Sequence, residues 1–249
     1  MATEALPADV SAAISRISSP SAPAADQVPG ELARLDAWWR AVADGRPPRA
    51  AWVASRSDAA DAARALSDGL AAADRDIDAG ASLVVPTFEA PDPVGARTVI
   101  AVLCRAEASA VTYQSPGMPD AAWMARCAQV RDRSAVVAVL RASPLALLDA
   151  LDARPLAFAA GVLLGASARR TPCLVDGTDA LAAALVADRL SFRAREWWRS
   201  AATSPDPGRR AAIDRIDLER GLPLDLVGDD TAGALATMAL LRMLDEDAT

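Results

Sequence analysis

Asp176 and Gly177 stand where a Pro-led apolar run, TPCLV, passes into an Ala-rich helical pattern, DALAAAL. Gly177 fits a tight strand-to-helix turn on steric grounds. A carboxylate at the carboxyl end of a strand in an α/β sheet faces the place where such folds bind ligands. The same carboxylate could equally cap the following helix, worth about 1 kcal/mol. Both readings stand at this point. The rest of the chemistry is bounded by what is missing, since the chain has no His, no Lys and no Asn. That excludes Ser–His and Cys–His nucleophile pairs, a Schiff-base lysine, a Walker A loop and any His-ligated metal. Catalysis, if present, rests on Asp, Glu, Arg, hydroxyls and backbone amides. Cys104, Cys127 and Cys173 lie far apart in apolar contexts and read as structural thiols.

The elements that must position these residues come from a chain of 249 residues, long enough for a sizeable core. A formal charge of −7 argues against nucleic-acid or acidic-membrane partners. No apolar run has the length of a membrane span. The opening MATEALPADV lacks the pattern of a secretory signal, so a cytoplasmic location is expected.

Residues 1–30, rich in Ser, Pro and Ala, read as a flexible N-terminal arm after one short helix around Val10–Ile17. Residues 31–249 read as a single α/β domain. Strands are expected at 51–55, 82–88 and 172–176, with a further short strand in ASAVTY (108–113). Helical periodicity is expected over 31–44, 58–80, 93–107 and 119–140, in two stretches at 144–152 and 155–170, after Gly177, over 206–216, and to about Leu244 at the end. SFRAREWWRSA (191–201) also reads as helix. Of the pairs Trp38-Trp39 and Trp197-Trp198, one member each is expected in the core and its neighbour half-exposed. The alternation predicts a Rossmann-like three-layer fold with a mostly parallel sheet, plus a small helical subdomain from the N- and C-terminal segments.

Three segments, AFAAGVLLGASARRTPCLVDGTDALAAAL (157–185), TSPDPGRR (203–210) and LPLDLVGDDTAGALA (222–236), resemble in order and spacing those of nicotinate-nucleotide–dimethylbenzimidazole phosphoribosyltransferases. A weaker match extends through 117–130 to 82–89. The resemblance implies synthesis of α-ribazole phosphate, for the lower ligand of cobalamin. Phosphoribose would pass from nicotinate mononucleotide to a benzimidazole-type base in a homodimer, with no metal or other cofactor. It also implies roles. Asp176 with Gly177 would sit near the bound ribose, and Ser204 would be the turn serine near the nucleotide. Arg126 falls where the family has lysine, and its planar fork suits a carboxylate or phosphate. Glu89 opens the family's phosphate loop. Gly228 and Thr231 belong to the closing loop, and Asp229 takes the place of its catalytic glutamate.

The chain departs from that pattern in three places. EAPDPVGART (89–98) carries prolines where the family's phosphate loop has glycines, which removes N–H donors, and Asp92 adds negative charge there. Arg97 is the residue that could offset it. A long insert after the first strand, part of the family's benzimidazole pocket, has no counterpart. Asp229 is one methylene shorter than glutamate, and a displacement of about 1 Å can cost around a hundredfold in rate. Asp230 beside it would raise one carboxylate's pKa by like-charge repulsion, as suits a base; an acidic cap on the last helix is the alternative. The resemblance thus leaves two readings, an active phosphoribosyltransferase and a non-catalytic homologue that binds a nucleotide or a partner subunit. A Rossmann oxidoreductase finds no support, because no G-x-G-x-x-G follows a strand.

Overall fold

A computed structural model of the chain describes residues 5–20, 30–56, 58–89, 92–228 and 231–246. Its elements run α1 (Ala8–Arg16), α2 (Glu31–Ala43), β1 (Ala50–Ala54), α3 (Ala62–Asp78), β2 (Leu83–Thr87), α4 (Pro93–Cys104) and α5 (Ala108–Val111). They continue with α6 (Asp120–Val137), α7 (Pro144–Ala150), α8 (Arg154–Ala168), β3 (Cys173–Val175), α9 (Gly177–Leu190), β4 (Trp198–Ser200), α10 (Pro207–Arg215) and α11 (Ala232–Glu246). The strands form one sheet in the order β1-β2-β3-β4, and every neighbouring pair is parallel. This is the expected α/β class with a parallel sheet.

Parallel strands need helical crossovers, and the sequence supplies unusually apolar ones. Most of α8 and α9 is buried, including Leu163, Leu164 and Ala180 to Ala187. Helices apolar all round belong inside a fold, between other helices and the sheet. The closest packing is between α3 and α8, whose glycines let the backbones meet. A Cβ added at Gly161 would come within 2.0 Å of the Leu66 carbonyl oxygen, and one at Gly69 within 1.9 Å of that of Phe158. Gly161 and Gly69 are therefore steric requirements of the helix pair.

The short helix expected near Val10 is α1, packed on α8 with Val10 and Ala13 fully buried. Trp197 Nε1 donates to the Ser18 carbonyl at 2.7 Å and fixes the segment that follows it. Helices α2 and α11, from the two ends of the chain, pack together.

Three local expectations are corrected. ASAVTY is not a strand: its first residues form the one-turn helix α5, and the Thr112 hydroxyl donates back to the Ala108 carbonyl at 2.7 Å. Both edges of β2 are already paired, with β1 and β3, so this segment has no place beside it. The stretch 191–201 is not a continuous helix. A 3₁₀ turn at Ala194–Trp197 leads into β4, where Trp198, Arg199 and Ser200 pair with Cys173, Leu174 and Val175. Pairing with a buried strand overrides the helical spacing. Both members of each Trp pair are buried, at 7% and 5% exposure for Trp38 and Trp39 and 4% and 2% for Trp197 and Trp198. The indoles reach polar partners that allow this: Trp198 Nε1 donates to the Ser167 hydroxyl, and Trp38 lies beneath the Arg199 guanidinium.

Candidate functional site

The site begins where β3 ends. Gly177 has φ of +89°, a conformation that glycine adopts without strain, and it turns the chain from β3 into α9. Asp176 precedes it with its side chain buried, and that side chain makes no capping hydrogen bond to α9. Its Oδ2 accepts instead from the Ala234 N–H at 2.8 Å, in the first turn of α11. The carboxylate is thus a cap, but of a helix 58 residues away. It ties the end of β3 to the segment that carries Gly228 and Thr231. Thr231 is half-buried, and its carbonyl accepts from the Leu235 N–H at 3.0 Å as α11 starts.

Beside this junction lies a cleft of about 250 Å³. Four of the sequence-derived site residues line it: Arg97, Arg126, Ser204 and Gly228. Each arrives on a different element. Arg97 comes from α4 and Arg126 from α6, while Ser204 follows β4 and Gly228 precedes α11. Trp123, one turn before Arg126, donates from Nε1 to the Thr112 carbonyl at 2.9 Å and locks that part of α6 against the segment after α5.

Other cleft residues escaped the sequence reading, among them Thr178, Asp179, Asp206 and Arg209. Asp206 connects Ser204, Arg97 and the start of α10. It caps α10 through the Gly208 N–H at 2.8 Å, and its own N–H donates to the Ser204 hydroxyl oxygen at 3.3 Å. Arg97 pairs with it in two-pronged fashion, Nη1 to Oδ1 at 3.0 Å and Nη2 to Oδ2 at 2.6 Å, and donates also to the Val111 carbonyl. Both partners are buried, at 8% and 6% side-chain exposure. Arg97 is therefore a brace between α4 and α10, with its charge neutralised, where the sequence offered it as a counter-charge to Asp92. Arg209 Nε donates to the Thr178 hydroxyl at 3.3 Å and bridges α10 to α9. The Asp-Pro-Gly order at 206–208, an acidic cap before a first-turn proline, was the available signal for Asp206.

Glu89 is not brought to the cleft. It is exposed and pairs with Arg56 at 2.9 Å, beyond the ends of β2 and β1. Asp229 and Asp230 lie outside the described residues. Burial raises the Cys104 thiol to about 11 and pushes the fully buried Cys173 thiol further still, so both stay protonated at neutral pH. Among the described residues no group of three His, Cys, Asp or Glu side chains is placed to hold a metal. No described helix is long and apolar enough to cross a membrane.

A parallel α/β sheet with an arginine-lined cleft at its carboxyl edge defines an α/β protein whose cleft lies where such folds bind ligands. A family model described as phosphoribosyltransferase matches residues 55–244, three quarters of the chain, and the chain belongs to that family. The nicotinate-nucleotide–dimethylbenzimidazole phosphoribosyltransferase of Streptomyces avermitilis is 37% identical over 184 residues, covering 73% of this chain and 49% of the relative. The protein of the same name from Mycobacterium avium is 38% identical over 175 residues, 70% of this chain and 50% of the relative. The chain thus spans about half the length of these curated relatives. Among solved structures, CobT from Thermus thermophilus superposes with a TM-score of 0.66 at 26% identity, over 74% of this chain and 56% of that one. A second Thermus thermophilus structure, a nicotinate-nucleotide-dimethylbenzimidazole phosphoribosyltransferase, gives a TM-score of 0.72 over 97% of this chain and 96% of that one. At 20% identity that likeness concerns the fold, which it shares from end to end.

Proposed function

We propose that the cleft is a phosphoribosyl-transfer site of the type named in these relatives, moving phosphoribose from nicotinate mononucleotide to a benzimidazole-type base. In that reaction a ring nitrogen of the base bonds to C1′ of the ribose. The bond from C1′ to nicotinate breaks, and nicotinate leaves with the electron pair. The acceptor's other nitrogen loses its proton to a carboxylate. The observation that carries the reading is the meeting of Arg126, Ser204 and Gly228 on one cleft at the sheet's carboxyl edge, with Asp176 fastening the loop beside it. Arg126 would hold the carboxylate of the donor, and Ser204 would meet its ribose oxygens. Nothing in this chemistry needs a His, a Lys or a metal.

The direct test is incubation of the protein with nicotinate mononucleotide and 5,6-dimethylbenzimidazole, with product followed by mass spectrometry. Formation of α-ribazole phosphate that is lost in Ser204→Ala and Arg126→Ala supports the reading. Absence of product at saturating substrates overturns it. The second reading, a non-catalytic homologue that keeps the ligand site, is favoured by one feature: carboxylates of the chain itself take the donors at the start of α4. It predicts ligand binding by calorimetry without turnover.

A further inference from the structure

On the transfer reading, a phosphate of the donor would meet the first turn of α4, where Pro93 and Arg97 line the cleft. A helix N-terminus concentrates unsatisfied N–H donors and positive dipole, and α4 is a twelve-residue helix with Pro93 at its start. Arg97, one turn in, faces the same cleft.

Each of those donors is already taken. The Asp92 side chain folds over the helix end, and its Oδ1 accepts from Val94 N–H at 3.1 Å and Gly95 N–H at 2.9 Å. The N–H of Asp92 itself donates to Asp179 Oδ1, across the cleft on α9, at 3.3 Å. Ala96 N–H is bonded to the Asp92 carbonyl at 3.0 Å, and Pro93 has no N–H to give. Gly95 leaves the space the carboxylate fills, since a Cβ there would fall 2.4 Å from Asp92 Oδ2. Below, the Arg97 guanidinium is spent on Asp206 and the Val111 carbonyl. Among the described residues, the cation that faces Asp92 from another element is Arg133 of α6, 3.5 Å from Oδ2.

An incoming phosphate dianion would have to displace one carboxylate from these N–H groups and sit against a second. We infer that Asp92, backed by Asp179, is a specificity-determining residue that turns the donor subsite from nucleotides toward nucleosides, so that the pentose held best is the unphosphorylated one. This rests on the transfer reading above and shifts its preferred donor from the nucleotide to the nucleoside, so that the group moved best is ribose. The bond changes are unaltered: base nitrogen to C1′ forms, C1′ to nicotinate breaks with its electron pair leaving on nicotinate, and the acceptor's proton goes to the carboxylate base. Only the substituent at the 5′ oxygen differs.

The test is calorimetric titration of the full chain with nicotinate riboside and with nicotinate mononucleotide, for wild type, Asp92→Asn and Asp92→Ser. Asn and Ser are both good helix caps, so the fold of α4 is kept while the charge is removed. The riboside should bind wild type at least tenfold more tightly than the mononucleotide. That preference should fall by at least tenfold in both variants, a change of about 1.4 kcal/mol. Asp179→Asn should shift it in the same direction. If wild type binds the mononucleotide as tightly as the riboside, or if the preference does not move in Asp92→Asn and Asp92→Ser, the inference is overturned and the transfer reading survives. If no protein of the set binds either ligand, both fall together.

Discussion

Asp176 holds the start of α11: its Oδ2 accepts the Ala234 N–H at 2.8 Å, joining the last residue before α9 to a helix 58 positions further along. The bond makes one carboxylate responsible for two things, the end of β3 and the seating of the loop that carries Gly228 into the cleft. Asp176→Ala should therefore cost about 1–3 kcal/mol of stability, the range for losing a cap and stranding a buried donor. Asp176→Asn, which keeps an acceptor in place, should cost less. Urea denaturation of the three proteins checks the order. A neutral Asp176→Ala would mean that α11 is held by its apolar face alone.

The brace between Arg97 and Asp206 gives a second ordering. Removing one partner of a buried ion pair leaves an uncompensated charge, a loss of about 3–5 kcal/mol in sites of this kind. The two deletions are not equivalent here. After Arg97→Met, Asp206 keeps the Gly208 N–H and its place as the α10 cap. After Asp206→Ala, Arg97 keeps the Val111 carbonyl, while its Nε has no partner among the described residues to begin with. Asp206→Ala should be the more damaging, with Asp206→Asn between the two. Removal of both in Arg97→Met/Asp206→Leu should cost less than the sum of the singles in a double-mutant cycle. Equal single effects would show that Asp206's capping bonds add nothing.

What could be read from the sequence divides along the same lines. The β3 strand, its Asp-Gly ending and the helix after it were legible because an apolar run, a turn pair and an Ala-rich stretch follow one another within 171–185. Strand β4 was not, because Arg195, Glu196 and the Trp pair carry helical spacing, and only contact with β3 makes Trp198–Ser200 extended. Arg126, Ser204 and Gly228 came from motif order and meet in the cleft. Arg97 lines the cleft, but its charge is committed to a partner 109 residues away that no local pattern names. In PGRR, the sequence does not distinguish Arg209 from Arg210. The helix does, burying the first beside Thr178 and leaving the second exposed.

Away from the cleft, Asp188 near the end of α9 sets a pH dependence. Burial holds its carboxyl above the usual carboxylate range, against the opposing pull of Arg195, Arg215 and Arg189. Its Oδ1 lacks a hydrogen bond among the described residues, and Arg195 Nη1 is 3.7 Å away. A folded-state pKa above that of the unfolded chain means that protonation favours the fold. The contribution is fully present below the ordinary value near 4 and is lost as the pH rises through the raised one. Asp188→Asn should accordingly melt higher than wild type at pH 7 to 8, and the difference should close as the pH falls below about 4. Thermal melts across that range test it. A difference that stays constant with pH would place the effect in packing and not in the charge.

The proposed transfer also needs a proton acceptor. Loss of the benzimidazole's ring proton requires a base, and the chain has no His or Lys to provide one. Of the two carboxylates offered for that role, Glu89 is exposed and paired with Arg56, while Asp229 follows Gly228, which lines the cleft. Asp229 itself lies outside the described residues, so the assignment rests on its place in the chain. Asp229→Asn keeps the side chain's size and hydrogen-bonding capacity but cannot take a proton. Turnover should drop by about a hundred- to ten-thousandfold, the usual worth of a positioned general base. Binding of the benzimidazole should change little by comparison, which separates a chemical loss from a structural one. Asp229→Glu restores the reach of the longer acid and should retain or raise the rate. Steady-state kinetics with both donors, riboside and mononucleotide, reads all three. Should Asp229→Asn turn over as fast as wild type while Asp230→Asn does not, the base is Asp230, and Asp229 is left as an acidic residue ahead of α11.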